Sequence, residues 1–483
     1  MKASRGNAVG KWVSAFGLGV LLTTSAAADS LLFTNVHVVD VRTGSILKDR
    51  AVRVEGERIT AITPTASAGE PDGAMVVEGN GGYLAPGLMD MHVHLQVREH
   101  ATMNLLRGVT TVRNMWGNPE TLAWKAAVEE GTLPGARIVT SGALVDGEPP
   151  IWEGSVVMTD PADADAFVLG QKRAGYDFVK VYSRLEPPIF KALLDAGQKY
   201  GMEISGHVAQ DVPLLDAIAG GMRTSEHLIG VLHAIAADRS LANPGLSPYD
   251  ERAKELVLKL GTGEVPSEGF IDQQRLQTVA ASARSEGHWF VPTTRVMRNF
   301  STSPVPHIEG SERFMGPMEK GLLPLIKDGT MGKTFFKLTD EHQKGEDVHQ
   351  QLRRQAILAL YEAGAPMLVG TDSLQAAAGM VTIDEMESLQ ALGIPNDAVL
   401  RAATLEPARY LGREGELGEV REGAIADLIL LGSNPLKDLA ALNELKGVVK
   451  AGVWYSGTEI GAKLDEMEAV FAAFTAEKEV HSE

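Results

Sequence analysis

Residues 85–94 read Ala85-Pro-Gly-Leu-Met-Asp-Met-His-Val-His94, an apolar run that opens with Pro-Gly and closes with two histidines. A short apolar run bounded by turn residues is typical of a buried strand in a parallel sheet. Because side chains alternate along a strand, His92 and His94 point to the same face. Enzymes built on parallel sheets place their chemistry at the carboxyl ends of the strands. The run therefore predicts a strand that ends in a functional pair of histidines.

The same pattern recurs through the middle of the chain, where short apolar runs alternate with helix-length amphipathic segments. Eight such units in succession are typical of a (β/α)8 barrel. We therefore predict an α/β fold in which residues 85–414 form a TIM-type barrel. Two connections, 234–270 and 295–345, are far longer than the roughly 2–6 residues that such units need, and we expect them to cover the mouth. The predicted strands end near His94, Asn114, Ser141, Tyr182, His207, His227, Thr293 and Asp372.

Both ends of the chain carry a different pattern, with short alternating apolar and polar residues interrupted by Gly, Asp and Pro. This pattern is typical of antiparallel strands. We predict that residues 29–84 and 415–460 together build one small β-sandwich domain. Residues 461–483 read as an amphipathic helix, which suits either packing against the rest of the chain or formation of a homo-oligomer.

The first 28 residues have the three parts of a secretory signal peptide: a basic start, an apolar run and the small-residue tail Ser25-Ala-Ala-Ala28. The apolar run is shorter than the roughly 20 residues that span a bilayer, and no comparable run follows. We expect a periplasmic or secreted protein with no membrane partner once the signal is removed.

Composition excludes several classes of protein. The net charge of −18 disfavours a nucleic-acid partner. The chain has no Cys, so thiolate zinc ligands and a Cys nucleophile are excluded. The Gly-x-Ser-x-Gly motif of many serine hydrolases is also absent.

Five side chains that commonly bind metals fall at predicted strand ends. Any one of them is more simply explained as a hydrogen-bonded core histidine or a helix-capping aspartate. Five at the same edge of one sheet instead favour a metal site. They are His92, His94, His207, His227 and Asp372.

Lys180 lies in the apolar strand Phe178-Val-Lys-Val-Tyr182, where burial of a cation carries a large desolvation cost. Three explanations remain open at the level of sequence. The lysine forms a buried ion pair, has a lowered pKa suited to base chemistry, or is chemically converted into a metal-binding group.

Taken together, these motifs resemble those of the amidohydrolase superfamily, and most closely its imidazolonepropionase-like and prolidase-like branch. The resemblance covers about residues 30–460. It rests on the run from Ala85 to His94 and on Gly108-Val-Thr-Thr-Val-Arg113, Phe178-Val-Lys-Val-Tyr182, Gly206-His207, Glu226-His227 and Leu368-Val-Gly-Thr-Asp372.

The resemblance implies a site with two divalent metal ions, usually Zn²⁺. Lys180 would be carboxylated and would bridge the ions. His92, His94 and Asp372 would bind one ion, and the two remaining histidines the other. A hydroxide between the ions would act as the nucleophile, and Asp372 would also pass its proton to the leaving amine. Tyr182, on the same face of the strand as Lys180, would either hydrogen-bond to the substrate carbonyl or simply pack in the core.

Other residues near the predicted mouth are open to more than one interpretation. Arg113, Arg137 and Arg184 are candidates for binding a substrate carboxylate, with buried ion pairs as the alternative. His233 lies close to the predicted mouth, where capping or a surface position also explains it. Where the branch commonly has Asp, this chain has Asn114, so no role is transferred to that position.

We expect a hydrolase that cleaves a carbon-nitrogen bond of amide or peptide type in a small substrate, such as a dipeptide or an N-acyl amino acid. The same two-metal site could open a lactone, a cyclic imide or a phosphotriester. A mononuclear deaminase or imidazolonase would bind one metal and leave Lys180 unmodified. A non-catalytic periplasmic protein that binds a metal or ligand is the alternative from another class.

Overall fold

The computed structural model describes residues 30–241, 251–302, 308–315, 317–372 and 378–480, so the predicted signal peptide at 1–28 lies outside the described residues. The strands are β1 (Ser30–Asp40), β2 (Ser45–Glu55), β3 (Arg58–Pro64), β4 (Met75–Pro86), β5 (Leu88–Val93), β6 (Val109–Asn114), β7 (Arg137–Thr140), β8 (Val145–Asp146), β9 (Val156–Val157), β10 (Phe178–Val181), β11 (Glu203–Gly206), β12 (Thr224–Glu226), β13 (Trp289–Val291), β14 (Leu428–Leu431), β15 (Leu445–Lys450) and β16 (Val453–Ser456).

The helices are α1 (Glu99–Leu106), α2 (Pro119–Glu129), α3 (Ala164–Ala174), α4 (Pro187–Tyr200), α5 (Leu214–Ala219), α6 (Val231–Ile235), α7 (Glu251–Thr262), α8 (Gln273–Glu286), α9 (Thr294–Arg298), α10 (Pro317–Lys327), α11 (Met331–Phe336), α12 (Asp340–Glu362), α13 (Met380–Gln390), α14 (Asn396–Ala402), α15 (Leu405–Tyr410) and α16 (Gly457–Val480). None of these described helices combines the length and apolar character that a membrane span needs.

Two parallel sheets occupy the centre of the molecule, with strand orders β5-β6-β7 and β13-β12-β11-β10-β8-β9. Backbone contacts join the sheets on both sides. On one side Asp177 N donates to Thr140 O over 2.8 Å. On the other side, the extended segment 366–372 lies between β13 and β5. Leu368 N donates to Phe290 O over 3.0 Å, and Asp372 N donates to His92 O over 2.7 Å. The predicted α/β class with a parallel arrangement is confirmed.

Most of the predicted strand ends agree with the structure to within two residues. The observed ends are Val93, Asn114, Thr140, Val181, Gly206, Glu226 and Val291. The eighth predicted strand, ending at Asp372, is not a regular strand. It is an extended segment with a single bridge between Met367 and Phe290. The structure also adds the short strands β8 and β9, which the sequence analysis did not predict.

Local sequence explains where several helices begin and end. Asn118 caps α2 by accepting a hydrogen bond from Thr121 N, and Pro119 occupies the first helical position. Asp272 caps α8 in the same way. Helix α4 ends at Gly201 in the left-handed conformation, which glycine adopts without steric cost.

The remaining strands form one seven-stranded sheet in the order β16-β15-β14-β4-β1-β2-β3, so both chain ends contribute to it. Strands β1 and β4 pair in parallel, and the other pairs are antiparallel. Four strand spacings of about 4.8 Å would separate β1 from β16 in a flat sheet. The rings of Phe33 and Trp454 are nevertheless only 5.4 Å apart. The sheet is therefore curled, with β1 and β16 facing across a shared apolar core.

The C-terminal helix α16 begins at Gly457, four residues before the predicted boundary at 461. Its apolar side chains Ile460, Leu464 and Phe471 are buried against the same chain. The ring of Phe471 stacks on His100 of α1 with 5.7 Å between the ring centroids. These three side chains thus pack within the chain, one of the two uses considered for this helix.

Both long predicted connections contain helices. Helix α7 lies within 234–270, and α10 and α11 lie within 295–345. Helix α7 packs closely against α12 because Gly345 has no side chain: a Cβ there would lie 1.6 Å from Val257 O. This packing brings part of the first connection next to the carboxyl end of β12.

Candidate metal centre

The five predicted metal ligands lie together at the carboxyl ends of the parallel strands. Oδ1 of Asp372 is 2.9 Å from Nε2 of His94 and 3.3 Å from Nε2 of His92. Its other oxygen, Oδ2, is 3.7 Å from Nε2 of His227. The ring of His207 lies 4.9 Å from that of His227, centroid to centroid. The fold therefore brings together side chains that lie far apart in the sequence, from His92 to Asp372.

The three histidines His92, His207 and His227 share one hydrogen-bonding arrangement. In each, Nδ1 bonds to a protein oxygen: His92 to Glu226 Oε2 (2.7 Å), His207 to Ser183 Oγ (2.8 Å) and His227 to Thr293 Oγ1 (2.7 Å). Among the described residues, Nε2 of His92 and Nε2 of His207 are buried and have no hydrogen-bond partner. Histidines that bind metals are typically held in this way, with one nitrogen anchored and the other left to the ion. The donor set therefore fits a metal site.

The backbone at the centre is held in unusual conformations. His227 has φ 60° and Asp372 has φ 48°, both in the left-handed region that non-glycine residues seldom adopt. Buried Asp90 supports this geometry by accepting hydrogen bonds from Thr371 N (3.1 Å) and Thr371 Oγ1 (2.9 Å). Segment 366–372 can approach β5 closely because a Cβ at Gly370 would lie only 2.8 Å from the Cβ of His92.

The protonation states suit cation binding. Burial lowers the pKa of His94 and lowers those of His207 and His227 well below the usual value. Burial alone would raise the pKa of Asp372, but the contacts with His92, His94 and His227 outweigh it and hold that pKa well below its usual range. At neutral pH the centre thus offers neutral imidazoles and an ionised carboxylate, the forms that bind divalent metals.

Lys180 lies on β10 with a side chain only 1% exposed. Within the described residues, its ammonium forms neither a salt bridge nor a hydrogen bond, and the carboxylates of Glu226 and Asp372 attract it without direct contact. The other two explanations are therefore favoured. Burial lowers its pKa to about 8, against the opposing fields of Glu226 and Asp372. A larger neutral fraction makes the amine a better base or nucleophile than an ordinary lysine.

Arg113 does not serve the predicted centre as a substrate-binding group. Its guanidinium is fully buried and donates to Glu226 Oε1 (2.7 Å), Tyr410 Oη (2.6 Å) and Met91 O (2.7 Å). The substrate role considered for Arg113 is therefore wrong, and the buried ion pair is the correct alternative. The network also identifies Glu226, a residue to which the sequence analysis gave no role.

Arg137 and Arg184 lie at opposite ends of the parallel strands. Arg137 is the first residue of β7 and pairs with Asp427 over 3.3 Å, away from the metal centre. Arg184 follows β10 and donates to Pro149 O over 2.8 Å. Of the three arginines, Arg184 is the one that remains a candidate for binding a substrate carboxylate.

Asn114 connects the strand ends around the centre. Its Oδ1 accepts from Leu95 N over 2.7 Å, and its Nδ2 donates to Trp116 O and Thr140 Oγ1 over 2.9 and 3.0 Å. These contacts join the segments that follow β5 and β6 to the last residue of β7. A structural role therefore explains this position.

Tyr182 contributes to the wall of the centre. Its ring stacks on His207 with 3.9 Å between centroids, and its hydroxyl accepts a hydrogen bond from Trp152 Nε1 over 2.8 Å. Trp152, which the sequence analysis did not single out, is 44% exposed and thus reaches from solvent to the centre. His233 is buried and lines a cavity next to His227.

The chain matches the family model described as "Amidohydrolase family" over residues 83–455. It belongs to the amidohydrolase family. The resemblance inferred from the sequence motifs is thereby confirmed.

Similar proteins include curated deaminases and the solved structure of a putative prolidase. Adenine deaminase 2 of Bradyrhizobium sp. (strain ORS 278) is 28% identical over 206 residues, which are 39% of this chain and 34% of that protein. This chain thus spans about a third of that relative. The 5'-deoxyadenosine deaminase of Methanothermobacter thermautotrophicus is 23% identical over 422 residues, covering 83% of this chain and 84% of its own. The solved structure of a putative prolidase from Bifidobacterium longum has a TM-score of 0.66 and 22% identity, and the match covers 91% of this chain and 99% of that one.

Proposed function

We propose that this amidohydrolase is a metal-dependent hydrolase that cleaves an amide-type or peptide-type carbon-nitrogen bond in a small substrate, such as a dipeptide or an N-acyl amino acid. The observation that carries the proposal is the set of histidines anchored through Nδ1 around the carboxylate of Asp372. The family membership supports hydrolysis at carbon-nitrogen bonds. The putative prolidase among the similar structures supports the choice of a peptide-like substrate.

The residues would hold two divalent ions, with zinc favoured by the imidazole and carboxylate donors. We assign His92, His94 and Asp372 to one ion, His207 and His227 to the other, and a carboxylated Lys180 to both. When bound, such ions lower the pKa of a water to around 7 and polarise the carbonyl of the substrate. Carboxylation would join the neutral amine of Lys180 to carbon dioxide with release of a proton, and the lowered pKa of Lys180 favours that neutral amine.

Two side chains would act on the reacting groups. Asp372 is ionised and contacts the histidines, so it can accept the proton of the attacking water and give it to the leaving amine. The hydroxyl of Tyr182 would donate to the substrate carbonyl while Trp152 Nε1 holds the phenol in place.

We also propose that the two parallel sheets close into one (β/α)8 barrel through segment 366–372 and the contact at Thr140. The backbone hydrogen bonds on both sides support this closure. The curled seven-stranded sheet would be the small β-sandwich domain predicted from residues 29–84 and 415–460.

Export of the protein remains a proposal based on residues 1–28. We infer a periplasmic or secreted enzyme that acts on a small molecule and has no nucleic-acid partner. Determining the N-terminal sequence of the mature protein after expression in a bacterial host tests this. Cleavage near Ala28 is the expected result.

A mononuclear deaminase is the second candidate. Ligand atoms of His92, His227 and Asp372 lie within 4.8 Å of one another, which is enough for a single ion. The curated relatives named above are also deaminases. This candidate needs no modification of Lys180.

Metal analysis together with a substrate screen tests both candidates. We expect about two zinc ions per wild-type chain and hydrolysis of dipeptides or N-acyl amino acids. Lys180→Ala should bind at most one ion and lose hydrolysis, whereas Lys191→Ala, which changes an exposed lysine on α4, should match the wild type. One ion per chain, an active Lys180→Ala variant and turnover of adenine would favour the deaminase.

The screen also includes a lactone, a cyclic imide and a phosphotriester. Turnover of none of these compounds would point to a non-catalytic binding protein.

A further inference from the structure

A cavity of about 60 Å³ lies next to the proposed metal centre on the side of β12 and β13. Its walls come from the segment after β12, from helix α7, from the region after β13 and from helix α12. Its lining is mainly apolar and includes Leu228, Leu232, Val257, Met297, Phe300 and Leu338.

The cavity shares its walls with a proposed metal ligand. Leu228 directly follows His227 in the chain. Arg353, another lining residue, donates from its guanidinium to the backbone oxygen of His227 and to Pro292 O. Met297 lies on α9, which begins directly after Thr293, the partner of the His227 imidazole. The cavity therefore lies directly against the backbone of a proposed metal ligand.

Three polar side chains in the lining, those of Glu346, His349 and Arg353, are directed to other groups of the protein. Glu346 accepts a hydrogen bond from Gln350 Nε2 over 2.6 Å, and His349 Nδ1 lies 3.6 Å from a Glu346 oxygen. The guanidinium of Arg353 is directed to backbone carbonyls. Apolar side chains supply most of the surface of the cavity, so burial of apolar surface is the main source of affinity for a ligand there.

We propose that this cavity receives a branched aliphatic side chain of the substrate, comparable in size to the side chain of leucine. A cavity needs roughly 10–15 Å³ to hold one water molecule, so this cavity suits a group of about four heavy atoms. This inference rests on the proposed hydrolase function and narrows its substrate class to amides that carry such a side chain.

The test uses metal-chelating hydroxamic acids, because their binding does not depend on turnover. The zinc-loaded mature protein is titrated with acetohydroxamic acid, 3-methylbutanohydroxamic acid and benzohydroxamic acid by calorimetry. In a hydrophobic pocket, even one methylene changes specificity by roughly 10–200-fold. We expect the 3-methylbutano compound to bind at least tenfold more tightly than the aceto compound.

Two variants change the cavity in opposite directions. Val257→Phe fills it and should reduce the preference for the branched compound to less than threefold. Met297→Ala enlarges it and should shift the preference towards benzohydroxamic acid. Leu258→Phe is the matched control: it changes the next residue of the same helix, which does not line the cavity, and should preserve the wild-type preference. Thermal unfolding shows whether each variant is folded.

The outcomes separate the two levels of the proposal. Equal affinity for the branched and aceto compounds in the wild type would overturn the cavity assignment and leave the metal-dependent hydrolase intact. So would a preference that Val257→Phe and Met297→Ala, both folded, leave unchanged. A wild type that binds none of the three hydroxamic acids would instead contradict the metal centre itself. Tightest binding of benzohydroxamic acid in the wild type would replace the aliphatic side chain with an aromatic one and so overturn this inference.

Discussion

Glu226 acts on the metal centre through His92, with which it forms a hydrogen bond. It is fully buried, its Oε2 accepts from Nδ1 of His92, and its Oε1 accepts from Arg113. Burial would raise its pKa, but the guanidinium of Arg113 and the contact with His92 outweigh burial and keep that pKa well below its usual value. The permanent negative charge fixes the proton of His92 on Nδ1 and directs Nε2 towards Asp372.

Replacing Glu226 with glutamine tests this role. A neutral amide holds the His92 proton less strongly and leaves Arg113 without its charged partner. We expect zinc affinity to fall by roughly 10–100-fold and stability to fall by about 3–5 kcal/mol. Chelator competition gives the first quantity and urea unfolding of the metal-free protein the second.

Glu203→Gln is the matched control for that change. Glu203 accepts from Tyr410 Oη at the other end of the network, and among the described residues no hydrogen bond or ion pair joins it to His92. Its zinc affinity should stay within about twofold of the wild type, because the anchored histidine is untouched. A Glu226→Gln variant with wild-type zinc affinity would show that the carboxylate serves only Arg113.

Removing the hydroxyl of Tyr182 tests its assigned contact with the substrate. Tyr182→Phe keeps the ring that stacks on His207 but loses the group held by Trp152. We expect kcat to fall by roughly 100-fold, with KM and zinc content little changed, because the donor acts mainly on the developing oxyanion. Tyr200→Phe on α4 is the control. Equal kcat values for Tyr182→Phe and the wild type would leave Tyr182 as a packing residue.

The sequence predicted the members of the centre better than it predicted their partners. The ligands were found because each follows an apolar run, and all such runs end at one edge of a parallel sheet. Glu226 was missed because alternation along a strand places neighbouring side chains on opposite faces. Strand β12 ends at Glu226, and His227 then adopts φ 60°, so both side chains reach His92. That backbone change has no signature in the sequence.

At the level of whole elements, turn residues made the strand ends predictable to within two positions. The irregular form of segment 366–372 was harder to predict. This segment forms only a few backbone hydrogen bonds, and they are divided between β13 and β5. Strands β8 and β9 have two residues each, too few for any alternating pattern. Helix α10 contains Pro324. Because proline is disfavoured inside helices, the sequence of the second connection did not predict a helix there.

The stability of the packing between helix α16 and His100 should depend on pH. Burial lowers the pKa of His100 to about 3, and its Nδ1 accepts from Gln96 N over 3.3 Å, so the folded state requires the neutral ring. Between pH 6.5 and about 3 the unfolded chain binds more protons, so stability falls as the pH falls. This histidine contributes up to about 1.4 kcal/mol per pH unit to that loss.

Urea unfolding of the wild type and of His100→Gln from pH 8 to pH 5 measures this contribution. Below pH 6.5 the wild type should lose stability more steeply than the variant. Above pH 7.5 the two slopes should coincide, which serves as the internal control. Cleavage of α16 by a protease should also increase on acidification in the wild type, since Phe471 packs on the His100 ring. Parallel slopes over the whole range would show that His100 titrates equally in both states.

Across the whole molecule, the parallel strands have a metal centre at their carboxyl ends and a structural joint at their amino ends. Asp427 forms that joint by pairing with Lys450 of β15 over 2.9 Å and with Arg137 of β7 over 3.3 Å. Burial would raise the pKa of Asp427, but Lys450 and Arg137 together lower it. The joint thus connects the seven-stranded sheet to the parallel sheets without touching the ligands.

Asp427→Asn should therefore separate stability from metal binding. The change leaves the buried ammonium of Lys450 without its counter-charge, and we expect a loss of roughly 3–5 kcal/mol in urea unfolding. Asp195→Asn, which breaks the exposed pair with Lys191 on α4, should cost no more than about 1 kcal/mol. Zinc content and kcat of folded Asp427→Asn should equal those of the wild type, since the joint and the ligands lie at opposite ends of the strands. Loss of zinc from a folded Asp427→Asn variant would mean that the position of the seven-stranded sheet sets the geometry of the metal centre.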